Sequence, residues 1–231
     1  MQFYTKTLVI LIAFDIMRLL ISLKCLNYQI TGRGDLMIKK SIVDLADVMV
    51  GLVLNRKEAN LTTPFINYKA LTLKSLNSEG WIDKNLLDEF KSMEELDEKY
   101  LCLQGDVIIK ITPPYTAVAI NKELHGTVVP AQFIIIRIKG EAIIPEYLAF
   151  YLNADEVKRQ IMLDGTGNIV KMLKTGTIRE LEIPIPDLKK QHKIGEVSKL
   201  IVKERHLMNK MLQTKEKYYQ ALIKSLIKED K

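Results

Sequence analysis

The chain has 231 residues, 48% of them hydrophobic, which is enough for one sizeable core with an appendage. Two cysteines, Cys25 and Cys102, exclude a disulfide framework and fit a reducing, cytoplasmic setting. The net charge of +6 is carried from Asp187 onward, where twelve Lys/Arg face six Asp/Glu; residues 1–186 hold 22 of each sign. Within that neutral part, Glu79 to Tyr100 is acidic and residues 1–78 are basic, an asymmetry compatible with a nucleic-acid face on one side or with simply solvated surfaces.

Residues 1–36 contain the apolar run Thr7 to Phe14, interrupted afterwards by Asp15, Arg18 and Lys24. That run falls well short of the ~20 residues a membrane span requires, and no small-residue cleavage site follows. Two readings stand side by side. One takes 1–36 as a non-native or poorly integrated leader, because codons for Gly32-Arg33-Gly34-Asp35 can spell a purine-rich ribosome-binding sequence before Met37. The other takes it as an amphipathic helix packed on the domain.

From Ser41 to Val50 the pattern suits a short helix or strand opening, with Ser41 or Asp44 as a cap. Thr63 to Leu73 alternates like a half-buried strand, 77–80 reads as a turn, and Trp81-Ile82-Asp83 opens an extended piece. The charges of Asp88 to Lys99 suggest an acidic helix. After the turn at Gly105-Asp106, a strand places Val107, Ile109 and Ile111 on one face, and Val128 to Ile138 reads as a second buried strand. Glu146 to Leu163 has a helical apolar face with Pro145 beside its start, and Gly165-Thr166-Gly167 breaks it. A short element at 169–173 follows, and the final strand, Leu181 to Ile185, is expected to close the sheet. Without regular βαβ alternation, the domain is expected to be α+β with a mixed sheet.

Pro184 and Pro186 stop that strand, and Asp187 stands at the N-cap of a helix running to the C-terminus. Its stripe runs through Ile194, Val197, Ile201, Met208, Leu212, Tyr219, Leu222 and Leu226, in the steps of a coiled-coil seam interrupted by Arg205 and Lys215. Such a helix needs a partner, unless its stripe folds back on its own domain.

Two motifs tempt toward chemistry. Ile111-Thr112-Pro113-Pro114-Tyr115 resembles the (D/N)-P-P-(Y/F) loop of DNA amino-methyltransferases, in which an amide or carboxylate holds the target amine and the aromatic ring stacks on the flipped base. Thr112 occupies the position that needs the amide or carboxylate, and the chain is short for that fold, which leaves a small methyltransferase as a remote alternative. His125, His192 and His206 lack metal-ligand spacing, and no nucleophile elbow occurs, so neither catalytic nor metal-binding residues are expected. Two polar insertions carry DNA-facing candidates instead: Lys57, Lys69 and Lys74 in one, and Lys110, Thr112, Tyr115, Asn121, Lys122 and His125 in the other. Cations of this kind neutralise phosphates, and the polar and aromatic side chains read or stack on bases.

In order of elements, residues 38–231 resemble the specificity (S) subunit of type I restriction–modification enzymes. The resemblance rests on KKSIVDLADVMVGL, on LQGDVIIKITPP, on the stretch from Thr127 to Ile161, and above all on DGTGNIVKMLKTGTIRELEIPIPDLKKQHKIGEVSKLI with Pro184, Pro186, Leu188, Gln191 and Ile194 in place; Lys190 departs from the usual glutamate. The resemblance implies a DNA-binding target recognition domain over 37–186 and a spacer or dimerisation helix over 187–231. Full members join two such domains through two antiparallel helices, read a bipartite site, and dock modification (methyltransferase) subunits, which bind S-adenosylmethionine, and restriction subunits. The specificity subunit itself holds no cofactor. With one domain and one helix, a homodimer paired through the C-terminal helix would rebuild a full subunit and read an inverted repeat. A half-subunit acting as an interaction partner or decoy, or lying silent, is the competing expectation.

Overall fold

The structure, a computed structural model, describes residues 38–59, 65–163 and 172–229. The chain divides into Met1–Met37 and Ile38–Lys231; the expectations for the leader, for Gly165–Gly167 and for most of the element at 169–173 lie outside the described residues.

The centre is a four-stranded antiparallel sheet of order β2-β7-β5-β6: β2 is Ala46–Val50, β5 Val107–Lys110, β6 Ala117–Ala119 and β7 Phe133–Ile138. Both faces of this sheet are covered, which is why β5 and β7 read as near-continuous apolar runs. Val107, Ile109, Ile134 and Ile136 point into one core, while Ile108, Phe133 and Ile135 point into another with Leu71, Leu76 and Val129. Among the described residues parallel pairing enters only as single bridges, Leu52–Pro130 and Ala70–Val128. Close backbone approach there demands Gly51, since a Cβ on it would lie 2.2 Å from the Pro130 carbonyl oxygen.

Helices cover the first face: α1 (Ile42–Leu45), α2 (Pro145–Leu152), α3 (Asp155–Leu163) and α4 (Thr175–Glu180). Ser41 precedes α1 as its N-cap residue, though its side chain makes no capping bond. The single helix expected from Glu146 to Leu163 is two. Asn153 breaks it: its amide donates to the Ala117 carbonyl at 2.7 Å and accepts from the Ala117 N–H at 3.0 Å. An Asn side chain thus supplies the missing neighbour of edge strand β6, and competition of this kind with the helical ladder ends α2.

Two further departures have nonlocal causes. The acidic stretch is not a helix: Asp88–Ser92 is strand β4, paired with β3 (Ile66–Ala70), and a 3-10 turn follows at Glu98–Tyr100. Phe90 and Ser92 turn inward while Glu89 faces Lys69 across the ladder, so the acids supply cross-strand pairing rather than helix polarity. The last strand, β8 (Glu182–Pro184), pairs with β1 (Lys39–Ser41) and does not close the main sheet. Hydrogen bonds from Tyr147 Oη to the Pro184 carbonyl and from Tyr151 Oη to the Glu182 carbonyl tie β8 to α2 instead.

Helix α5, Leu188–Glu229, leaves the domain after Pro186. The Asp187 carboxylate accepts from the Lys190 N–H at 2.9 Å, the N-cap bond its position predicts. At 1.5 Å per residue the 42-residue helix is about 63 Å long. No described helix is long and apolar enough to cross a membrane.

Candidate nucleic-acid interface and partner helix

The first insertion meets the second through Lys110, whose ammonium donates to the Leu73 carbonyl at 2.7 Å. Thr72 Oγ1 donates to the Leu86 carbonyl, and Lys84 pairs with Glu123. Three contacts therefore gather the loops at 72–76, 82–87, 110–114 and 121–126 into one surface. The loop at 72–75 is held tightly, because buried Ser75 and Thr72 exchange three hydrogen bonds of 2.8 to 3.0 Å. Such a loop is set before any ligand arrives.

Of the nine DNA-facing candidates, Lys74, Lys122 and His125 stand exposed on this surface, with Thr112 partly exposed beside them. Lys110 is half-buried and serves as the tether; burial holds its pKa below the ordinary lysine value. Asn121 caps the 3-10 turn at Lys122–Leu124, accepting from the Glu123 N–H at 3.1 Å. Tyr115 corrects the expectation outright. At 2% exposure its ring belongs to the main core, so from this position it offers no stacking platform, and the amino-methyltransferase likeness loses its aromatic as well as its acid. Lys57 and Lys69 lie elsewhere, paired with Glu94 and Glu89 on the acidic β3–β4 hairpin. Beyond β4, Asp97 caps the turn at Glu98–Tyr100 and pairs with Lys99, whose hydrogen bonds lower its pKa. Sequence reasoning missed Lys84 and Asn85, which the 3-10 turn capped by Asp83 brings to the same surface; Asp83 accepting from Asn85 is the local signal.

A buried ion pair lies at the turn before β5. Asp106 is 2% exposed and binds Arg137 with both oxygens, to Nε at 3.0 Å and Nη2 at 2.8 Å. It also accepts from the Leu103 N–H at 2.9 Å, while Arg137 Nη2 donates to the Leu101 carbonyl at 2.9 Å. The carboxylate raises the Arg137 pKa above its ordinary value. Asp106 thus anchors the turn before β5, and its sequence context beside Lys110 is structural. Next to it, burial foremost and then the Asp106 charge push the Cys102 thiol up to about 12. Alkylation at pH 8 should therefore spare Cys102 in the folded chain and modify it fully in denaturant, as read by the mass of its peptide. Among the described residues no group of His, Cys, Asp and Glu is placed to hold a metal ion.

The other candidate surface is α5. Its first half is bound to the domain by Gln191, which is fully buried. Gln191 Oε1 accepts from the Ile144 N–H at 3.0 Å, and Nε2 donates to the carbonyls of Ala142 (3.0 Å) and Pro186 (2.9 Å). One turn on, Gly195 lets α5 approach α2, for a Cβ there would meet Glu146 Cβ at 2.9 Å. Lys199 pairs with Glu146 at 3.0 Å, Arg205 with Glu79 at 3.3 Å, and His206 packs against Trp81 with ring centroids 4.0 Å apart. Gln191, Ile194, Gly195, Ser198, Val202 and His206 lie on the face of α5 toward the domain. From Leu207 to Ile227 every residue is exposed, Met208, Leu212, Tyr219, Leu222 and Leu226 included, while Ile201 is half-buried. Ile194, at the start of the stripe, is buried in the main core, whereas from Met208 on the stripe does not fold back on its own domain.

Two solved structures share the fold. The HsdS subunit from Thermoanaerobacter tengcongensis superposes with a TM-score of 0.54 at 16% identity, over 77% of this chain and 45% of that one. A chain from the structural basis underlying complex assembly and conformational transition of the type I R-M system gives 0.53 at 12% identity, over 80% and 43%. The protein therefore spans less than half the length of either. No curated protein matches the sequence. The profile of the type I restriction modification DNA specificity domain matches residues 37–214, which takes in the loop surface, the Asp106–Arg137 pair and the clamped half of α5. The chain belongs to the type I restriction modification DNA specificity domain family.

Proposed function

We propose that this protein is a non-catalytic, cytoplasmic specificity subunit that binds double-stranded DNA through the loop surface around Lys74, Lys84, Lys122 and His125. It pairs through α5 with a second copy and directs type I modification and restriction subunits to a bipartite site. S-adenosylmethionine is expected on the methyltransferase partner. The observation that carries this reading is the exposed apolar row from Met208 to Leu226 on a helix clamped to the domain through Gln191. A helix exposing that row needs a partner to cover it.

Modified-base sequencing of DNA from cells co-expressing the chain with its genomically neighbouring methyltransferase subunit is the test. Methylation at a palindromic bipartite motif, lost when the chain is omitted, is expected. A non-palindromic bipartite motif would mean pairing with a different half, and no methylation with both proteins soluble would leave the decoy or silent fragment. Self-association is expected in sedimentation, and aspartate at both Met208 and Leu212 should abolish it.

A further inference from the structure

The cations of the loop surface, Lys74, Lys84 and Lys122, have protons to give and nothing that accepts. Asn85, exposed on the same surface, differs. The Asp83 carboxylate accepts from the Asn85 backbone N–H at 3.0 Å and from its Nδ2 at 3.1 Å. A carboxylate has no proton to give, so the atom it holds is the amide nitrogen, and the amide cannot flip. One N–H of Nδ2 and the Oδ1 oxygen remain without a partner among the described residues, a donor beside an acceptor. Asn121 shows the opposite arrangement: its Oδ1 is taken by the Glu123 N–H, which leaves only donors. The turn that carries Asn85 is fixed at both ends. The Asp83 N–H donates to the Ser75 carbonyl at 2.8 Å, and Thr72 Oγ1 donates to the Leu86 carbonyl at 2.9 Å. Two leucines accompany Asn85: Leu86, next in the chain, is 44% exposed, and Leu73, beside Thr72, is 43% exposed.

Adenine offers the complement of that amide in the major groove, an N6 donor beside the N7 acceptor, and its thymine partner adds a methyl group. Resting on the DNA-binding reading above, we propose that this patch reads one A·T pair of the recognised sequence. Asn85 donates to adenine N7 through Nδ2 and accepts from adenine N6 through Oδ1, while Leu86, with Leu73 beside it, packs on the thymine methyl. Guanine places the O6 acceptor where Oδ1 needs a donor, so two oxygens would oppose each other and the same amide rejects it. Because the turn is set before DNA arrives, little ordering entropy is lost in making the two bonds. Lys74, Lys84 and Lys122 supply sequence-independent attraction to phosphate around the patch.

Selection from a pool of random duplexes, with the chain complexed to its neighbouring methyltransferase subunit, yields the recognised sequence for the test. At one adenine of that sequence, 7-deazaadenine, which lacks the N7 acceptor, is expected to weaken binding about fivefold or more. Deoxyuridine opposite it, which lacks the methyl group, should weaken binding about twofold to fourfold. Asn85→Ala keeps the Asp83 bond to the backbone N–H, so the turn survives. That variant should bind the adenine and 7-deazaadenine duplexes equally, and its own selected sequence should be degenerate at that position alone. Leu86→Ala should lose the response to deoxyuridine, and a retained response would overturn the leucine contact. No wild-type response to 7-deazaadenine at any position, or an unchanged selected sequence for Asn85→Ala, overturns the reading by Asn85 while leaving DNA recognition in place. Failure of the wild-type complex to enrich any sequence would remove the DNA-reading surface itself, and this patch with it.

Discussion

Replacing Arg137 by methionine is expected to destabilise the domain by about 3–5 kcal/mol, the range for removing one partner of a buried ion pair. The asymmetry between the two partners makes the expectation specific. The Asp106 side chain is 3% exposed, so without Arg137 its carboxylate keeps the Leu103 N–H and little water. The Arg137 side chain is 23% exposed and retains the Leu101 carbonyl, so Asp106→Asn should cost less, about 1–3 kcal/mol. Against a total of about 5–15 kcal/mol for a typical domain, the first loss is a large fraction. Urea denaturation of both variants gives the ordering. Equal effects, or a loss below 1 kcal/mol for Arg137→Met, would show that the pair does not anchor the turn before β5.

That pair also shows where sequence reading reaches its limit. Gly105-Asp106 is recognisable as a turn entering a strand, and the face shared by Val107, Ile109 and Ile111 follows from period two; both are local properties, and both are present. The N-cap role of Asp187 is equally local. What Asp106 pairs with is not local, because Arg137 comes from a strand thirty-one residues away. The same holds for Lys57 and Lys69. As isolated cations in a polar insertion they read as phosphate contacts, and only the folding of Asp88–Ser92 onto β3 shows that carboxylates neutralise them. In that strand, five residues with three charges hid an alternation carried by Phe90 and Ser92 alone. Tyr115 failed for a related reason: a tyrosine after two prolines looks like a loop residue, yet the turn at φ 51° directs it into the core.

Gln191 offers the second large effect, and it bears on function more directly. Its amide satisfies one N–H and two carbonyls at the root of α5 with no solvent access. Gln191→Ala leaves all three without partners in a buried seam, for an expected loss of about 2–4 kcal/mol after partial relaxation. Gln191→Glu keeps the shape and separates hydrogen bonding from packing. An ionised carboxylate there would face the carbonyls of Ala142 and Pro186 with no proton to give them, and burial would disfavour its charge. The folded-state pKa of that carboxyl would lie above its unfolded value near 4.3. The neutral form, able to donate once, is therefore fully available below the unfolded pKa, and stability is lost as pH rises through the folded pKa. The Gln191→Glu deficit relative to wild type should accordingly be small near pH 4.5 and grow toward pH 8 in urea midpoints, whereas the Gln191→Ala deficit should be flat. A flat Gln191→Glu profile would show that the side chain reaches water and does not clamp the helix. If the clamp is real, the same variants loosen the angle between recognition domain and seam, and methylation in the co-expression assay should spread over sites with differing gaps before it disappears.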